Sequence, residues 1–129
     1  MTSFAAEAAQ QQEITFESTS RYAQVRDDMR LHYHEAGVGN EKTVVLLHGA
    51  NGNRATWFQQ IVELAGDFTV VVVEARGAGR STDVHEASGP VAGALDLEAV
   101  REHLALPEWH VVGHSLGGWT ALRYAVEHP

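Results

Sequence analysis

Residues 109–129 read WHVVGHSLGGWTALRYAVEHP. Within them, Gly113-His114-Ser115-Leu116-Gly117 fits the pattern Gly-x-Ser-x-Gly, set between an apolar run and a helical run from Leu116 to His128. The pattern alone arises by chance in roughly one sequence of this composition in twenty, so its position decides its meaning. On a sharp strand-to-helix turn a serine hydroxyl projects away from the sheet, and glycines two residues to either side leave room for strand and helix to approach. The turn also sets the next backbone N–H, that of Leu116, at a helix N-terminus, where partial positive charge favours an oxyanion. The competing reading makes Ser115 a plain helix N-cap. A nucleophilic serine further needs a base to take its proton and a third group to orient that base.

Working outward, two more apolar runs end in glycine-rich segments. TVVLLH (43–48) precedes GANGNRAT, and FTVVVVEA (68–75) precedes RGAGRSTD. Such continuous β-branched runs suit strands buried on both faces. Trp57, Ile61 and Leu64 fall at helical spacing, with Gly66 as the stop. Leu97, Val100 and Leu104 do the same over residues 94–104, with Glu98 and Glu102 facing solvent. Residues 84–93 are weakly patterned and read as loop. Pro107 breaks the chain before WHVVG, which reads as a third short central strand. RYAQV and MRLHYHEA, separated by Arg26-Asp27-Asp28, read as a hairpin with Leu31 and Tyr33 on one face and His32 and His34 on the other. A hairpin followed by three strand-loop-helix units implies an α/β fold: a mostly parallel sheet with helices on both faces and an N-terminal β-hairpin. Ligands bind such sheets at the carboxyl ends of the strands, where HGANG, RGAGRS and GHSLGG converge.

Composition narrows the function classes. The 129 residues fit one domain, with 1–12, rich in Ala, Gln and Glu, as a flexible tail or short surface helix and 13–129 as the folded part. A formal charge of -8 without a Lys/Arg cluster argues against nucleic acid. There is no cysteine, no basic-then-apolar leader, and no apolar run near the ~20 residues of a membrane helix. A cytoplasmic location without membrane contact is the expectation. Gly77-Ala78-Gly79 lacks the third glycine of a dinucleotide fingerprint and no Gly-Lys-Ser/Thr loop occurs, so no cofactor is expected. His32-x-His34 has metal-binding spacing but no third ligand nearby, and reads as a solvated face with no metal.

Three segments together, LLHGANGNRATW (46–57), EARGAGRST (74–82) and VVGHSLGGWTA (111–121), make the chain resemble the N-terminal half of an α/β-hydrolase-fold protein over roughly residues 21–129. The resemblance implies Ser115 as nucleophile, the amides of Leu116 and Ala50 as the oxyanion hole, Gly113, His114 and Gly117 as the elbow, and His48, Gly49, Arg76, Gly77 and Gly79 as the loops walling the site. His48 reads as a loop anchor. Glu74 stands where the family often has Asp, and serine at the elbow disfavours the aspartate branches such as haloalkane dehalogenases and epoxide hydrolases. The family's acid and base come from loops after later strands, in the order Ser, Asp or Glu, His. No upstream histidine replaces them: His114 diverges from Ser115, His110 is at the far end of its strand, His103 and His128 face solvent on helices, and His85 is on a loop. The chain therefore reads as a hydrolase core truncated after the nucleophile helix. Its implied chemistry is hydrolysis of a small-molecule ester, lactone or C–C bond through an acyl-enzyme, crippled by the missing groups. Cofactor-free oxygenases, haloperoxidase-like proteins and non-catalytic ligand receptors share the elbow and remain alternatives. An apolar HVVG edge implies self-association.

Overall fold

The computed structural model describes residues 13–49, 52, 54–83 and 89–129. The chain enters through a helical turn, α1 (Phe16–Thr19), closed by a capping box between Thr15 and Ser18. The hairpin follows as β1 (Ser20–Arg26) and β2 (Met29–Ala36), turning at Asp27 and Asp28. Then come β3 (Thr43–Leu47), a 3-10 turn (Arg54–Trp57) running into α2 (Phe58–Leu64), β4 (Thr69–Val73), α3 (Pro90–His103), β5 (His110–Gly113) and α4 (Leu116–Glu127). The strand order is β1-β2-β4-β3-β5, antiparallel on the hairpin side and parallel across β4, β3 and β5.

The unbroken apolar runs are explained by two cores sharing β3 and β4. Val45, Leu47, Val71 and Val73 point to one face, against Leu97 and Val100 of α3 and Tyr124 of α4. Val44, Leu46, Val70 and Val72 point to the other, against Ile61 of α2. Alternation along each strand thus serves both layers, and neither face tolerates polar residues.

Three expectations change. His32 and His34 do occupy the opposite face from Leu31 and Tyr33, but that face is roofed, and both imidazoles are fully buried. β2 is an interior strand, and Phe16 of α1 packs over His34 and against Phe58 of α2. The rings are tolerated there through hydrogen bonds: Thr19 Oγ1 lies 2.7 Å from His34 Nδ1, and Ser20 Oγ 2.6 Å from His32 Nε2. Second, α3 begins at Pro90, inside the segment read as loop. Gly89, at φ 92°, turns the chain and Pro90 takes the first helical position, where its missing N–H is harmless. Gly93 weakens the sequence pattern because α3 there lies close against Thr120 of α4. Third, Glu98 does not face solvent with Glu102; it turns to Arg101, Tyr124 and His128 between the two helices. β5, as expected of HVVG, is at the edge of the described sheet, paired only with β3 there, and Val112 is exposed. Residues 1–12, His85 and the rest of 84–88 lie outside the described residues. None of the described helices is long and apolar enough to cross a membrane.

Candidate active site

At the end of β5 the chain reverses into α4 at Ser115, whose backbone has φ 55° and ψ -117°. That conformation is sparsely populated by any residue with a Cβ and stores of order 1–3 kcal/mol. The flanking glycines show why the turn is built this way. A side chain on Gly113 would overlap the Gly117 carbonyl, and a Cβ on Gly117 would sit 2.5 Å from Leu47 O and 2.7 Å from His48 O. Strand, helix and the end of β3 therefore meet at van der Waals limits around one exposed serine.

The first turn of α4 leaves a donor open. Gly117 N–H bonds to His114 O at 2.9 Å and Gly118 N–H to Ser115 O at 2.8 Å. Leu116 N–H has no partner among the described residues, as expected at the first helical position. It points along the positive end of the helix dipole and suits a developing negative charge.

The β3 loop is tied to this turn. His114 N–H donates to Leu47 O at 3.0 Å, and a Cβ on Gly49 would touch His114 O and Ser115 Cβ at 3.4 Å. His48 is buried and bonded at both nitrogens: it accepts from Ala75 N–H at 3.1 Å through Nε2 and donates to Gly49 O at 2.6 Å through Nδ1. Because a backbone N–H only donates, Nε2 is the acceptor and Nδ1 the donor, and the ring acts as a strut between two loops. Ala50 lies outside the described residues.

The third wall is the turn after β4, with Gly77 at φ 78° and Gly79 at φ 53°. Arg76 makes a two-pronged bond to Asp96 of α3, Nε to Oδ2 at 2.8 Å and the terminal nitrogen to Oδ1 at 2.6 Å. The planar fork matches the carboxylate and pins this wall to α3. A cavity of about 440 Å³ lies between the walls, lined by Gly49, Ala75, Arg76, Leu97, Leu116 and Thr120 among others. Ser115 stands beside it, facing solvent.

The described parts of the three glycine-rich segments, His48 and Gly49, Arg76 to Ala78, and Leu116 and Gly117, thus line one cavity at the carboxyl ends of β3, β4 and β5. Sequence reasoning missed Asp96 and Thr120, which α3 and α4 bring to the cavity with no local motif to mark them. No hydrogen bond joins Ser115 to a histidine among the described residues. The His114 ring packs edge-on toward Trp57 at 6.4 Å, and His103 and His110 are exposed at other parts of the surface. Among the described residues no group of three or more His, Cys, Asp or Glu could hold a metal ion.

Residues 42–129 match the family described as the alpha/beta hydrolase fold. The chain belongs to the alpha/beta hydrolase fold family. Among its relatives in this family, the 2-hydroxy-6-oxononadienedioate/2-hydroxy-6-oxononatrienedioate hydrolase of Paraburkholderia xenovorans (strain LB400) is 32% identical over 124 residues, 90% of this chain and 43% of that protein. The proline iminopeptidase of Xylella fastidiosa (strain 9a5c) is 35% identical over 107 residues, 81% of this chain and 34% of that protein. Among solved structures, Est816, described as an N-acyl homoserine lactone degrading enzyme, superposes with a TM-score of 0.78 at 28% identity, covering 84% of this chain and 41% of its own. The chain therefore spans less than half the length of these hydrolases.

Proposed function

We propose that this chain carries the nucleophile and oxyanion portion of a serine hydrolase site acting on a small ester, lactone or C–C bond. One observation supports this most: Ser115 occupies a strained, left-handed turn whose two flanking glycines admit no side chain. A helix N-cap needs no such strain, and Ser115 makes no side-chain cap bond to α4. The relatives are named for several different hydrolyses, and the proposed substrate range stays as wide as theirs.

In the proposed reaction Ser115 Oγ bonds to the substrate carbonyl carbon as a base removes the hydroxyl proton. The carbonyl oxygen becomes an oxyanion, received by the N–H groups of Leu116 and Ala50. The oxyanion re-forms the carbonyl, the leaving group departs with the proton that the base took from Ser115, and an acyl-enzyme remains; water then adds to the acyl carbon as it gives a proton to the base, the Ser115 Oγ–acyl bond breaks to release the acid, and Ser115 Oγ takes that proton back. No described imidazole reaches Ser115, so the 129-residue chain alone is expected to turn over slowly, with whatever rate oxyanion stabilisation gives by itself.

The test is labelling with a fluorophosphonate probe in a chain extended to the length of the relatives, followed by peptide mapping, beside p-nitrophenyl acetate hydrolysis. Labelling at Ser115, and loss of label and residual turnover in Ser115→Ala, is the expected result. Turnover that survives Ser115→Ala would overturn the assignment. Tight binding of an N-acyl lactone without any label, in a chain extended to the length of the relatives, would favour a ligand-binding protein instead.

A further inference from the structure

Behind the site lies a buried polar array that the hydrolase reading does not use. Ser20 Oγ sits 2.6 Å from His32 Nε2, and His32 Nδ1 sits 2.6 Å from Glu74 Oε1, with His32 and Glu74 both fully buried. The order serine, imidazole, carboxylate is that of a nucleophilic triad, but this complete burial keeps substrate from the pair. Its connections run another way, into the turn after β4. Glu74 Oε1 accepts from Arg80 N–H at 3.2 Å. Ser81 Oγ donates to Glu74 O at 2.5 Å and accepts from His32 N–H at 2.9 Å. Gly79 lies so close to the Glu74 carboxylate that any side chain there would overlap it.

One residue further on, Ala75 N–H donates to His48 Nε2, and His48 Nδ1–H donates to Gly49 O, beside Ser115. Two imidazoles, one carboxylate and one peptide unit thus link the hairpin to the backbone of the β3 loop. We propose that Glu74 is a positioning residue for the Ser115 site: braced by His32 and Ser20, it holds the 75–81 turn so that Ala75 N–H fixes the ring of His48 and, through it, Gly49. Glutamate suits this place because one carboxylate oxygen, Oε1, receives both the His32 ring and the Arg80 amide while Oε2 rests against Gly79. Apolar packing would fill the same volume but would leave the Arg80 N–H and His32 Nδ1–H without acceptors. The inference rests on the reading of Ser115 as the reacting group only for its purpose; the mechanical linkage stands on its own bonds.

The test reads the linkage directly. Long-range proton–nitrogen NMR spectra of the full chain report the tautomer of each imidazole, and Gly49 gives its own amide resonance. In the wild type, His48 is expected as the Nδ1–H tautomer. Glu74→Gln is expected to move the His48 nitrogen signals and the Gly49 amide, although Glu74 touches neither residue. Glu74→Asp, which keeps the charge, should restore them in part. Val100→Ala, a core truncation in α3, serves as the control for general loosening and should leave both at their wild-type positions. Should Glu74→Gln not fold, Ser20→Ala supplies the graded version, with smaller shifts of the same signals. His48 and Gly49 signals that stay fixed in the Glu74 and Ser20 variants, or that move equally in Val100→Ala, would overturn the proposal. Failure of the probe to label Ser115 in a chain extended to the length of the relatives would sink the hydrolase reading and leave these spectra interpretable.

Discussion

Ser115 occupies a conformation that its own side chain disfavours, and its neighbours pay for the arrangement by being glycine. Replacing it with glycine is expected to stabilise the fold by about 1 kcal/mol while removing the reactive hydroxyl, the signature of a residue kept for chemistry. A higher urea midpoint for Ser115→Gly, with no fluorophosphonate label, is the measurement. Gly117→Ala should do the reverse: the new methyl meets two backbone carbonyls that have nowhere to go, at about 1–3 kcal/mol. Its urea midpoint should fall. Both residues were legible in the sequence because spacing of two is a local signal and the sterics it reports are local. His32 and Glu74 were not. They meet across 42 positions, and a strand's polar face gives no sign of whether a distant helix will cover it. Two histidines two residues apart look the same whether water or Phe16 lies above them.

Between elements, the decisive polar contacts are those with little water around them. Arg76 and Asp96 join the turn after β4 to α3 with side chains about a tenth exposed, whereas Arg123 and Glu127 pair along the open face of α4. Asp96→Asn should destabilise by about 1.5–3 kcal/mol, because it leaves a guanidinium poorly matched in a nearly dry place. Glu127→Gln should change stability by less than about 0.5 kcal/mol. Paired urea titrations decide between these values. Glu98 couples α3 to α4 by another route. Burial alone would raise its pKa, but hydrogen bonds from Arg101 and Tyr124 and the nearby positive charges outweigh that and hold it below the ordinary 4.5. A carboxyl depressed in the folded state stabilises fully above its unfolded pKa. That contribution fades as pH falls from about 4.5 through the folded value. Thermal melts taken downward from pH 5 should therefore lose less stability in Glu98→Gln than in the wild type. Strands and helix centres were readable from periodicity because both cores impose it. The start of α3 was not, since Gly93 serves a close crossing with α4 and carries no apolar signal. α1 was also missed: four residues held by a capping box leave no helical period to detect.

For the molecule as a whole, the unbalanced side is the one formed by β5 and α4. α4 buries Gly117 and Tyr124 against the sheet, yet Trp119, Leu122 and Val126 on its outer side are 69%, 71% and 80% exposed. A helix apolar on two sides is built to be covered twice. With Val112 exposed on an edge strand beside it, the 129-residue chain is expected to self-associate. Light scattering should show species larger than a monomer, reduced by Val112→Lys or Trp119→Glu; a monodisperse wild-type monomer would contradict this. The strand order carries a different consequence, one of timing. β4 is seated between β2 and β3, both of which precede it in the chain. In the order of synthesis the hairpin and β3 therefore have no shared partner until β4, which ends at Val73, has been made. β5 and α4, made later, join on the β3 side alone. The strand that brings His32 and Glu74 together is thus laid down after the hairpin and ahead of the turn that carries Ser115.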